Sequence, residues 1–367
     1  MALPRIKEEA LISPRLSDSR GIFGGVVVIG GANIDLRGKP AGEVLERRTS
    51  NPGKINVSSG GVGRNIAHNL ALLNVPVFLL SAVGDDGEGI RILEETGKAG
   101  VKTEQMIISG GHPTGIYLAI LDEKGEMEVA VSDMQILEEI TVDYLRSKAY
   151  LIKESKIVVM DTNLPEESIE YVVDLCNKVK VPLLVEPVSV EKVKKLKRIL
   201  NRSRKRRGNR RWIIDYITPN EDELESILEA GAERDEDEDI DVDINMMKAV
   251  EKLKGKGIRN IIVTLGKRGI YTSYGKVGKG EQDEPVRGKF MASYKSEIVD
   301  VTGAGDALVA GTVYGIYKGY SLEVAARFGL VAAAALTIST KEAVRRDLRE
   351  GLLRGRIEEE KEGGRLL

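Results

Sequence analysis

Short, β-branched apolar runs recur along this chain, each bounded by glycine or a polar turn, and apolar residues at helical spacing fill the intervals between them. The run Val26-Val27-Val28-Ile29, ending in Gly30-Gly31, reads as a buried strand and turn. Residues 76–82, 157–160, 182–185, 212–217 and 260–265 read in the same way, and 101–108 as a further extended piece. Helical patterns cover 66–73, 87–97, 166–179, 221–229 and 246–255. Strands alternating with helices predict an α/β fold whose mainly parallel central sheet carries helices on both faces. Two segments, 37–58 and 112–132, break the rhythm and look like hairpins, the second with a turn at 122–125. They predict a small β-sheet lid that projects from the core, excludes water and closes on a substrate.

Composition narrows the function classes. In 367 residues, 42% hydrophobic and 31% charged, the net charge is −2, so no global pull towards nucleic acid or membrane is expected. One cysteine, Cys176, excludes a disulfide framework and a cysteine-based zinc site. Two histidines, His68 and His112, argue against a His-rich metal site or a Ser-His-Asp triad. No apolar run approaches the roughly 18 residues that span a bilayer, and Lys7, Glu8 and Glu9 interrupt any signal-peptide pattern, so a cytoplasmic protein is expected. The expected division is an extension over 1–23, a core over 24–350 with lid segments at about 37–58 and 109–132 inserted, and a polar tail over 351–367. A basic run at 192–211 is read as a solvated loop, with the acidic run at 233–243 as a candidate partner, in preference to a nucleic-acid patch. Aromatics are nearly absent from the basic run, which disfavours single-strand nucleic-acid binding.

The candidate chemistry begins at Asp300-Val301-Thr302-Gly303-Ala304-Gly305-Asp306, where a glycine-rich turn opens an apolar helical run. A helix N-terminus presents unpaired N–H groups, glycines let an anion approach them, and a carboxylate alongside can take a proton from a hydroxyl. A second loop, Gly60-Gly61-Val62-Gly63-Arg64-Asn65, also precedes a helix. It is not read as a dinucleotide fingerprint, because it follows hairpin material rather than the first strand. Asn33-Ile34-Asp35 lies just past the first strand, where one carboxylate can accept from two vicinal hydroxyls. Thr218-Pro219-Asn220-Glu221-Asp222-Glu223 has the spacing of a capping box, and Thr264-Leu265-Gly266-Lys267-Arg268-Gly269 follows another strand. No P-loop and no protein-kinase motif set is present.

Taken in order, these motifs resemble those of the ribokinase-like (phosphofructokinase-B type) carbohydrate and nucleoside kinases, over roughly residues 25–345. The resemblance implies that Asp306 is the base that deprotonates the acceptor and that Gly303, Ala304, Gly305 and Asp306 supply the anion hole. It implies that Asp35, Asn33, Gly61 and Asn65 hold the sugar, and that Asn220, Thr264, Gly266 and Gly269 lie along ATP. Glu223 would organise Mg²⁺ through water, and Asp300 matches the ligand position for a monovalent cation such as K⁺. The lid would also serve as the clasp of a homodimer. Three local details resemble the pseudouridine kinases within this family: Gly60 to Asn65 with Arg64 before Asn65, Gly31 to Gly38 followed by Ser50-Asn51-Pro52-Gly53, and the lid ending Ser132-Asp133-Met134. Asn163, in Asp161-Thr162-Asn163, has the donor and acceptor that a base edge needs, and Thr114 and Tyr117 on the lid are expected to face that base. The expected activity is ATP-dependent phosphorylation of the pseudouridine 5′-hydroxyl. Another nucleoside or a free sugar as acceptor is the alternative, and a non-catalytic sensor on the same fold a more distant one.

Overall fold

The apolar runs become the strands of one large sheet. The structure, a computed structural model, describes residues 24–42, 45–123, 125–206, 213–228, 242–274, 287–293, 302–337, 351 and 353. The chain begins with β1 (Val26–Ile29), β2 (Asn33–Pro40), β3 (Gly53–Gly60), α1 (Val62–Leu72), β4 (Val77–Leu80), β5 (Ala82–Gly84), α2 (Gly87–Lys98) and β6 (Ile107–Ser109). It continues through β7 (Gly115–Leu121), β8 (Met127–Asp133), α3 (Val142–Ser147), α4 (Ala149–Glu154), β9 (Ile157–Asp161), α5 (Glu166–Val179), β10 (Leu183–Glu186) and α6 (Val190–Arg206). Then come β11 (Ile214–Ile217), α7 (Glu221–Leu228), α8 (Val242–Gly255), β12 (Ile258–Thr264), β13 (Ile270–Tyr274), β14 (Arg287–Met291), α9 (Ala304–Tyr317) and α10 (Leu322–Thr337).

The central sheet has eight strands in the order β14-β13-β12-β11-β10-β9-β1-β4. The six from β12 to β4 pair in parallel, and β13 and β14 add antiparallel to one edge. Every residue of β1, β4 and β9 is buried, which is why these strands read as unbroken apolar runs. Alternate residues serve different cores. Val27 and Ile29 pack with Ile169, Val172 and Cys176 of α5, whereas Val26 and Val28 pack with Ile66 and Leu70 of α1 and Val309 and Val313 of α9. Burying each such side chain stabilises the fold by about 1.5–3 kcal/mol. The lid is a separate four-stranded sheet in the order β3-β2-β7-β8.

Some boundaries differ from the sequence reading. α1 starts four residues earlier than its apolar periodicity, because its first turn carries site residues rather than core residues. Most of 101–108 is not strand; only β6 forms there. The basic run is not a loop: through Arg206 it is helix α6, with Val193, Leu196, Ile199 and Leu200 buried along one face. Its arginines pair with α5, Arg198 Nε donating to Glu166 Oε2 at 2.8 Å and Arg202 Nη2 to Glu170 Oε2 at 3.1 Å. The dense lysines and arginines had masked that amphipathic stripe. Residues 207–211, the acidic run up to 241, the extension at 1–23 and most of 351–367 lie outside the described residues. Among the described residues, no helix is long and apolar enough to cross a membrane.

Candidate active site

The parallel strands deliver polar residues at their carboxyl ends, and the site assembles along that edge. Asp161 closes β9, with only 1% of its surface exposed. Its carboxylate accepts from the backbone N–H groups of Gly31 (2.8 Å), Gly63 (3.1 Å) and Asn163 (2.9 Å), tying three segments together. Burial pushes this carboxyl up, and the Gly31 and Asn163 N–H groups and the Lys192 charge oppose the rise. Gly61 sits at φ 95°, and a Cβ there would lie 2.5 Å from the Gly31 carbonyl oxygen. Only glycine fits this turn, which swings the chain from β3 into α1 and brings Asn65 to the site.

Asn65 Nδ2 donates to Asp306 Oδ2 at 2.8 Å, and Asn33 Nδ2 donates to Asp35 Oδ1 at 2.7 Å. Asp35 is pushed up by burial and held back by Asn33, Arg37 and Arg64. Asp306 lies in the first turn of α9, whose N-cap, Gly303, adopts φ 74° and provides no side-chain cap. The opening N–H groups of α9 are therefore left for an anion. Burial lifts the Asp306 carboxyl to about 7, against the pull of the Asn65 hydrogen bond and with a further push from Asp161 and Asp35. A carboxylate poised near neutrality suits a general base.

Two cavities meet at this residue. One, of about 450 Å³, is lined by Asp35, Asn33, Gly61, Asn65, Tyr117 and Asn163 among others. The second, of about 230 Å³, is lined by Asn220, Glu223, Thr264, Gly303 and Gly305 among others. Asp306, Gly303, Val62 and Val188 line both. In the second cavity the capping box forms as expected, Asn220 N–H donating to Glu223 Oε2 at 2.9 Å and Glu223 N–H to Asn220 Oδ1 at 2.8 Å. A Cβ added at Gly305 would meet nothing within 4 Å, so its backbone borders open space.

Not every expected residue arrives. Thr114 is buried and fully engaged away from the cavities. Its hydroxyl donates to Asp86 Oδ1 (2.6 Å) and accepts from Gly84 N–H (2.9 Å), and its own N–H donates to Asp86 Oδ2 (2.8 Å). It pins the base of the lid rather than facing a ligand. Gly266 and Gly269 form the turn beyond Thr264, outside the cavity lining, and Asp300 lies outside the described residues.

Three residues were missed. Glu186 ends β10 and lines the second cavity; burial, with the charges of Glu223 and Asp306, raises its pKa well above the usual carboxylate range, and the Thr218 hydroxyl donates to it. A carboxylate just past a strand was the available signal, the same one that marked Asp35. Lys192, hidden in the basic run, lines the first cavity and donates to Asn163 Oδ1. Val188 stands between them at φ 68°, a strained conformation for a β-branched residue. Glu186 and Glu223 fit a divalent cation that keeps water and phosphate oxygens as its other ligands. Among the described residues no three His, Cys, Asp or Glu side chains cluster to hold a metal unaided.

Known proteins resemble this chain over most of its length. The chain is similar to a pseudouridine kinase of Escherichia coli K12, 36% identical over 286 residues that cover 78% of this chain and 82% of that protein. It is similar to a guanosine-inosine kinase of Exiguobacterium acetylicum, 25% identical, covering 87% of this chain and 96% of that one. In fold it matches an Arabidopsis thaliana ribokinase solved with ribose and ATP, at a TM-score of 0.70 and 23% identity, over 90% of this chain and 99% of that one. The profile of the pfkB family carbohydrate kinases matches residues 24–347. The chain belongs to the pfkB family of carbohydrate kinases, phosphotransferases with an alcohol group as acceptor.

Proposed function

We propose that this protein transfers the γ-phosphoryl group of ATP to the 5′-hydroxyl of pseudouridine. The carrying observation is the junction of two cavities at Asp306, with an uncapped helix N-terminus beside the carboxylate. The larger cavity lies within the roughly 300–1,000 Å³ of small-ligand sites. In this reading Asp35 accepts hydrogen bonds from the ribose hydroxyls, and Gly61 and Asn65 hold the ring against Asp306. Asn163 and Lys192 meet the uracil edge, whose carbonyls and N–H groups use both the amide and the ammonium. A free ribose has no base to meet that pair, and similarity to a relative named pseudouridine kinase supports the same choice.

Asp306 takes the proton of the attacking hydroxyl, and the Gly303–Asp306 N–H groups stabilise charge on the transferring phosphoryl. Asn220, Thr264, Gly266 and Gly269 are assigned to the nucleotide. Mg²⁺, when bound with ATP, would offset phosphate charge, with Glu186 and Glu223 holding it through water. Asp300 is assigned to a monovalent cation. The cytoplasm is the compartment this reading implies.

A second copy of this chain is the partner assigned to the lid. Asp35, Tyr117 and Ser132 align on one face of the lid sheet, and Val57, Leu36, Leu118 and Val131 on the other. Ile55, Val129 and Val131 of that second face are more than half exposed. An apolar stripe of this kind marks an interaction surface.

The test is ADP release with ATP and Mg²⁺ across pseudouridine, uridine, cytidine, adenosine, inosine, ribose and fructose 6-phosphate. Turnover confined to pseudouridine supports the reading. Stronger turnover on another acceptor discards the substrate but leaves the Asp306 chemistry. Absence of turnover on all of them, with and without K⁺, discards both.

A further inference from the structure

Asn65 can turn either end of its amide towards Asp306, and the two ends have opposite effects on a carboxylate. Its Nδ2 donates to Asp306 Oδ2 at 2.8 Å, while its Oδ1 accepts from Arg64 Nη1 at 3.3 Å. A carboxylate only accepts and a guanidinium only donates. Between these two neighbours a single amide orientation satisfies both; the reverse sets carbonyl against carboxylate and NH₂ against guanidinium.

We propose that Arg64 is a positioning residue for phosphoryl transfer: it locks the Asn65 amide with its N–H groups, rather than its carbonyl, towards the Asp306 carboxylate. The proposal rests on the reading of Asp306 as the base. Arg64 is itself held rigidly, only 4% exposed. Its Nε donates to Thr96 Oγ1 and its Nη1 to the Ser59 carbonyl, each at 3.2 Å. Glu95 lies 3.9 Å from Nη2 and also accepts from Ser59 Oγ (2.7 Å) and Arg91 Nε (3.0 Å). A relay thus runs from α2 through Arg64 and Asn65 to the first turn of α9. Burying a guanidinium is costly, and an apolar side chain would fill the same space more cheaply. The donors, directed at Asn65, Ser59 and Thr96, are what the charge provides.

The other charges around Asp306 are Asp35 from β2, Asp161 from β9 and Glu186 from β10, with Glu223 and Lys192 on the adjoining walls. Asp161 and Asp35 disfavour the ionised base. The Asn65 N–H acts in the opposite direction, so its orientation decides whether the base is available at neutral pH.

The experiment is the pH dependence of kcat between pH 5.5 and 9 for the wild type, Arg64→Met, Arg64→Lys and Asp306→Asn, with the Asp306 carboxyl followed by ¹³C NMR in the substrate-free proteins. Arg64→Met is expected to move the acid limb up by about one unit, a loss of about five-fold at pH 7 that recovers by pH 9. Arg64→Lys, which keeps a donor, is expected to restore most of it. In an Asn65→Ala background, Arg64→Met should add no further shift. Thr96→Val loosens the far end of the relay and should move the limb less, in the same direction, which keeps the proposal testable if Arg64→Met does not fold. A lower thermal midpoint with neither the limb nor the Asp306 titration displaced would overturn it and reduce Arg64 to a tie between helices. Wild-type turnover in Asp306→Asn would instead remove the base assignment, while the NMR titration still decides whether Arg64 governs the amide.

Discussion

Asp306 holds its carboxyl where ionisation is penalised: burial, Asp161 and Asp35 raise it to about 7 from 3.8. Between those values the folded protein binds a proton that the unfolded chain has lost. Stability from this group is therefore complete below about pH 4 and is lost as pH rises through about 7. Asp306→Asn is expected to lower turnover by roughly 10²–10⁴-fold while leaving substrate binding largely intact. It should also raise the thermal midpoint at pH 8 and not at pH 4, with a ceiling of about 4 kcal/mol. Calorimetry at the two pH values beside a turnover assay checks both halves; near-full activity would sink the base assignment. Lys192 shows the same physics with opposite sign, burial lowering its pKa and Asp161 opposing the drop. Lys192→Met should cut kcat/KM for a nucleoside by about ten-fold or more, through loss of a charged donor. The same variant should leave any residual ribose turnover nearly unchanged, and equal losses on both acceptors would contradict a base-reading role.

At the scale of elements, the first turn of α9 separates folding from chemistry. Gly303 needs its left-handed φ of 74°, so Gly303→Ala should destabilise the protein by about 1–2 kcal/mol. Gly305 has ordinary helical geometry and open space around it. Gly305→Ala should keep or slightly raise the denaturation midpoint, by up to about 1 kcal/mol, because alanine is the better helix former. Its added methyl would occupy the anion site and raise the KM for ATP. Denaturant melts paired with ATP kinetics test this; a variant that binds ATP normally would show that the phosphates lie elsewhere. The capping box at α7 was readable because it is local, an Asn and a Glu three residues apart. Helix α6 was not, because its buried stripe is interleaved with charges whose partners, Glu166 and Glu170, belong to another helix.

For the whole molecule, the lid joins the two functions assigned to it. One face of β2 and β7 contributes Asp35 and Tyr117 to the ligand cavity, and on the opposite face of the lid the flanking strands β3 and β8 expose Ile55, Val57, Val129 and Val131. Because side chains alternate strictly along a strand, the same four strands can serve a substrate and a second subunit. Val129→Glu combined with Val131→Glu should convert a dimer to a monomer in light scattering and raise the KM for the acceptor by loosening closure. An unchanged oligomeric state would remove the clasp from the account. Thr114 and Asp86 anchor the lid to the core.

By itself the sequence determined what depends on neighbours along the chain. Continuous apolar runs specify doubly covered parallel strands, the glycine-rich stretches at 60–65 and 303–306 specify turns into helices, and Asn220 with Glu223 specifies a cap. The ordered motifs also made the kinase family legible. Tertiary structure alone decided what depends on distance through space. Asn65 and Asp306 are 241 positions apart and bond directly; Glu186 and Lys192 become site residues only because β10 and α6 end against the same cavities. Thr114 has the right chemistry for a ligand, yet Asp86 claims its hydroxyl and N–H. Sequence spacing fixes the period of a strand or a helix, whereas which polar group meets which is set by sheet order and strand register, and those follow from the packing of the whole chain.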